Sequence, residues 1–93
     1  MKKEHITKNN IFGDLGFDEA ESINLTVRSD IMIVLRDYID HHKLTQQEAA
    51  EAFGVDQPQI SRLLGGTIEN FTIDKFLKMA CRVHIKFSYK IAA

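Results

Sequence analysis

The chain has 93 residues, of which 44% are hydrophobic and 27% charged, with a formal net charge of −1. These numbers fit one small globular domain, and the overall charge does not advertise a nucleic-acid ligand; a chain this short buries only about 60–65% of its unfolded surface. Its single cysteine, Cys81, excludes an intramolecular disulfide.

The opening residues, MKKEHITKNN, are basic but lead into no apolar core, so they do not read as a signal peptide. No apolar run approaches the ~20 residues that a membrane span needs. A cytoplasmic protein is the simplest expectation. Residues 1–24 read as a flexible arm. It contains the acidic-apolar segment NIFGDLGFDEAE, where Phe12, Leu15 and Phe17 sit among two glycines and four acids. That segment has too little apolar area to fold alone, which makes it a candidate for docking on this domain or on a partner. Charge divides along the chain. Residues 12–24 hold Asp14, Asp18, Glu19 and Glu21 and no base, whereas Lys75, Lys78, Arg82, Lys86 and Lys90 dominate residues 67–93. Two partners, one segment shielding the other, or plain solvated surface would each account for this.

Residues 25–84 read as a helical domain. From Thr26 to His42, the apolar residues Val27, Ile31, Val34, Leu35, Tyr38 and Ile39 recur at helical spacing. His41 and His42 are adjacent, so they face different sides of a helix end and make a poor metal pair; a favourable position near the helix C-terminus accounts for them. Thr45-Gln46-Gln47-Glu48 fits a capping box, and Ala49, Ala50 and Phe53 form the inner face of the helix that follows. Gly54 predicts a left-handed helix end. Asp56 caps the next helix, with Pro58 in its first turn and Gln59 three residues on. Ile60, Leu63 and Leu64 form its buried stripe, and Gly65-Gly66 stops it. Thr72 caps a further helix to about Val83, with Phe71 and Phe76 spaced as a hydrophobic staple. Cys81 is expected there as a small buried hydrophobe.

Residues 85–93 alternate. Ile85, Phe87, Tyr89 and Ile91 share one side, and Lys86, Ser88 and Lys90 the other. This predicts a strand with one dry face. INLTV at 23–27 is a weak candidate partner; otherwise the strand pairs with the same strand of a second copy, and those four apolar residues become a dimerisation face. The expected fold is therefore mainly α: a compact bundle of four or five helices with a helix-turn-helix and a C-terminal β-strand.

Two short helices joined around Gly54 match the helix-turn-helix unit. Its second helix must enter a major groove about 12 Å wide, so the outer face must be slim and polar. Gln57, Ser61, Arg62 and, in part, Gln59 form that face, with Pro58 beside them. Glutamine pairs bidentately with adenine, arginine with guanine, and serine with either. Gln46 and the free amides near Thr45 are set to meet phosphate. Plain scaffold with a solvated polar face is the competing account of the same residues.

The stretch LTQQEAAEAFGVDQPQISRLLGG resembles the helix-turn-helix of the Cro repressor-like (XRE) family. The wider chain, through NIFGDLGF, DEAE and IENFTIDKFLKMACRV, is similar to HigA-like antitoxins of type II toxin–antitoxin modules. The resemblance implies a dimeric DNA-binding repressor that acts on the palindromic operator of its own operon, often bound to a ribonuclease toxin. By position, it implies that Gln46 contacts phosphate, that Gln57 is the first base reader and that Ser61 and Arg62 are later outward positions. It also implies that Thr67 and Asn70 lie in a phosphate-meeting loop. One departure concerns charge. Residues 45–66 hold Glu48, Glu51 and Asp56 against Arg62 alone, a net of −2. Affinity then has to come from amides, helix dipoles, flanking lysines or a dimer.

Nothing in the chain reads as catalytic: no nucleophile stands beside a base, no glycine loop cradles phosphate, and His5 and His84 are isolated. No cofactor or metal is expected. Two alternatives stay open beside the antitoxin: a stand-alone phage-type or chromosomal regulator without a toxin, and a protein-interaction module that has lost DNA binding.

Overall fold

A computed structural model describes residues 18–92. In chain order these form α1 (Glu19–His41), α2 (Gln46–Phe53), α3 (Gln57–Leu64), a 3-10 turn (Ile68–Asn70) and α4 (Ile73–Arg82). The expected helical bundle is present, with four α-helices among the described residues. Phe12, Leu15 and Phe17 lie outside the described residues.

Helix α1 begins well before Thr26, within the segment read as an arm. A second capping box sets its start. The Asp18 carboxylate accepts from the Glu21 amide at 2.7 Å, and the Glu21 carboxylate accepts from the Asp18 amide at 3.4 Å. Acidic side chains here also complement the positive end of the helix dipole. INLTV is therefore helical and supplies no strand. Helical periodicity misses these first turns because they bury little: Ser22 is their only buried residue, and Ile23 is exposed.

The core lies between α1 and the other three helices. Ile31, Leu35 and Ile39 of α1 meet Ala49, Ala50 and Phe53 of α2, Ile60 and Leu63 of α3, and Phe76, Met79 and Ala80 of α4. The expected staple forms: the rings of Phe71 and Phe76 stack with centroids 4.8 Å apart and planes 13° apart. Tyr38 packs on Phe53 from the edge of this core, with ring centroids 5.7 Å apart.

Two expectations are corrected here. Cys81 is exposed, not buried. The buried stripe of α4 runs through Phe76, Met79 and Ala80, and one residue beyond Ala80 the helix has turned about 100° toward solvent. Second, residues 85–92 form no strand. Val83 and His84 end α4, His84 with φ 63, and the Ile85 amide returns to the Ala80 carbonyl at 3.1 Å. Ile85 rests against the core, whereas Phe87, Tyr89 and Ile91 are 45%, 88% and 81% exposed. A ladder needs a second row of amides and carbonyls. With INLTV taken up by α1, the described residues offer none.

Candidate nucleic-acid interface

The interface is built from α2, α3 and the loop that follows. At the start of α2, the Thr45 hydroxyl accepts from the Glu48 amide at 3.1 Å, and the Glu48 carboxylate accepts from the Thr45 amide at 2.8 Å. Gln46 follows the cap and is exposed, at the positive end of the helix. Buried Ala49 and Ala50 have no bulk to hold α3 away. Gly54 turns the chain with φ 74 and ψ 36. Its amide and that of Val55 both donate to the Ala50 carbonyl, at 2.9 and 3.0 Å. The α2–α3 connection is therefore short, and the amides of Gly54 and Val55 are both hydrogen-bonded back to α2.

Helix α3 starts with a third capping box. Asp56 accepts from the Gln59 amide at 2.9 Å, and the Gln59 side-chain oxygen accepts from the Asp56 amide at 3.3 Å. Ile60 and Leu63 are fully buried, whereas Gln57, Ser61 and Arg62 are exposed and Leu64 is half-buried. Gln57 and Ser61 are four residues apart and stand one above the other on the outer face. Gln59 differs from them. It is half-buried, and its carbonyl oxygen is engaged in the cap, which leaves its amide nitrogen and one oxygen lone pair for another partner.

Beyond α3 the backbone closes on itself. The amides of Gly65, Gly66 and Thr67 donate to the carbonyls of Ser61, Leu63 and Arg62, with Gly66 at φ 80. Thr67 is half-buried, and its side chain makes no capping bond to the 3-10 turn. Asn70 is exposed at the end of that turn.

Two residues that hold the interface in place escaped the sequence. Arg28 of α1 sends Nη1 to the carbonyls of Ile68 and Phe71, at 3.0 and 3.1 Å, and Nε to Asn24 Oδ1 at 2.7 Å. One guanidinium thus ties both ends of the 3-10 turn to α1. Arg82 lies over the α2–α3 turn, its Nε 3.4 Å from the Ala52 carbonyl. Neither contact leaves a sequence signature, since each joins a side chain to distant backbone carbonyls. Among the described residues, no cluster of His, Cys, Asp and Glu could hold a metal ion. None of the described helices is long and apolar enough to cross a membrane.

A family model described as a helix-turn-helix domain matches residues 11–91. The chain belongs to the helix-turn-helix domain family. Comparison with curated proteins finds no similar sequence. In helix-turn-helix domains the second helix of the unit lies in the major groove, with its N-terminal residues nearest the bases. In this helix-turn-helix domain the second helix is α3, and the coarse role that membership supports is that of a DNA-binding regulator.

Proposed function

We propose that this helix-turn-helix domain is a sequence-specific transcriptional repressor. In this reading it acts in the cytoplasm as the HigA-like antitoxin of a type II toxin–antitoxin pair and represses its own operon. One observation carries the DNA reading: α3 buries Ile60 and Leu63 completely and turns Gln57, Ser61 and Arg62 to solvent. Gln57 and Arg62 are the base readers of the proposal, with Ser61 between them and Gln59 contributing its amide nitrogen. Gln46, Thr67 and Asn70 meet phosphate. Ile85, Phe87, Tyr89 and Ile91 join two copies, so that two recognition helices sit about one DNA turn apart on a palindrome. The antitoxin role is supported by the resemblance of NIFGDLGF and IENFTIDKFLKMACRV to that family. Phe12, Leu15 and Phe17 would carry the toxin contact.

The test is protection of the DNA upstream of the chain's own gene from nuclease digestion. A symmetric protected site is expected, and absence of protection at any protein concentration would refute the repressor. For the toxin contact, deleting residues 1–17 should abolish capture of a small ribonuclease encoded by the adjacent gene and leave the footprint intact. A footprint without any such neighbouring gene favours a stand-alone regulator. The net −2 over residues 45–66 favours one other reading, a protein-interaction module. That module would show none of the DNA binding, falling steeply as salt rises, that a phosphate-binding protein must show.

A further inference from the structure

The loop after α3 is poorly equipped for an anion. From Gly65 to Phe71 its single charged residue is Glu69, which is negative. Its backbone gives little more, since the amides of Gly65, Gly66, Thr67 and Phe71 all donate to carbonyls of the chain. A duplex brought against this loop presents one negative charge per about 1.7 Å of axis. A cation has to come from elsewhere.

Helix α1 provides one. Nη1 of Arg36 stands 3.9 Å from the point that a Cβ on Gly66 would occupy. The side chain is exposed, and no hydrogen bond or ion pair occupies it among the described residues. It does not cap α3 either: among the described residues no hydrogen bond joins it to the carbonyls of Ser61, Arg62 or Leu63. Arg28, about two helical turns earlier on α1, is already engaged: its Nε and Nη1 are bonded to Asn24, Ile68 and Phe71. Asp37 and Asp40 share α1 with Arg36 and leave it unpaired. An exposed guanidinium beside a backbone turn, without a partner among the described residues, can present its fork to a phosphate oxygen pair.

We propose that Arg36 is a DNA-backbone contact, taking a phosphate beside Gly66 and Thr67. It thereby supplies from α1 the positive charge that residues 45–66 lack. The inference rests on the DNA-binding reading above.

Non-specific binding is electrostatic, so the operator need not be known. The probe is a fluorescein-labelled duplex of mixed sequence, about 30 base pairs long, followed by anisotropy between about 50 and 200 mM potassium chloride. The parent protein should give a straight line of log affinity against log salt. Arg36→Gln should make that slope shallower by about 0.9 per bound protomer. Arg36→Lys should keep the parent slope, and both variants should keep the parent's thermal midpoint. A parent slope in Arg36→Gln overturns the inference and leaves the DNA reading standing. A slope in Arg36→Lys as shallow as that of Arg36→Gln also overturns it, because charge would then not be what the site uses. A parent protein with no salt-dependent binding overturns the DNA reading and this inference together.

Discussion

At Gly54 two penalties for a side chain can be weighed against each other. A Cβ there would fall 2.5 Å from Arg82 Nε, but that atom belongs to a flexible side chain that can swing aside. The backbone cannot: φ 74 costs an L-residue roughly 1–2 kcal/mol. Gly54→Ala should therefore lower stability by about 1–2 kcal/mol in denaturant unfolding, and adding Arg82→Ala should recover little of it. Full recovery in the double variant would mean that the clash, not the dihedral, sets the cost. The exposed residues of α3 and α2 should separate by readout. Arg62→Ala should cost about 1–3 kcal/mol of operator binding and relax preference at one base. Gln46→Ala should weaken operator and random DNA alike. Operator affinity unchanged in Arg62→Ala would place the recognition face elsewhere. Gln57, Ser61 and Arg62 were legible as outward residues because Ile60 and Leu63 fix the opposite face. The double role of Gln59 was legible only in part: Asp56-x-x-Gln59 announces the cap, but not that the cap occupies the carbonyl. Arg28, Arg36 and Arg82 were not legible, because their positions depend on how α1 and α4 dock on a distant loop.

Among the elements, caps were the most readable feature. Thr45, Asp56 and Thr72 each precede a helix and each accept from an amide three residues on. Asp18 and Glu21 follow the same rule but stand before turns that bury little, so a reading guided by apolar spacing started α1 late. Asp18→Ala should cost about 0.5–2 kcal/mol. The loss should appear as fraying of the first turns of α1 in amide hydrogen exchange, with α3 unaffected. A uniform loss of protection would instead make the first turn part of the global folding unit. The alternation in residues 85–91 is real in sequence, yet the described residues supply no strand to pair with it. Periodicity reports which side of a segment is apolar; it does not report whether a partner exists.

For the whole molecule, the exposed Phe87, Tyr89 and Ile91 and the half-buried Ile85 bear on assembly. Phe87→Asp with Tyr89→Asp should reduce a two-chain mass to one in light scattering at tens of micromolar, and should weaken operator binding far more than helix content. A parent mass of one chain at that concentration would rule out the tail as a dimer contact. The tie made by Arg28 has a mechanical consequence. Its guanidinium couples the long first helix to the 3-10 turn, and that turn follows α3 after only Gly65, Gly66 and Thr67. A displacement of α1 at Arg28 would therefore carry the Ile68–Asn70 turn with it, through one side chain.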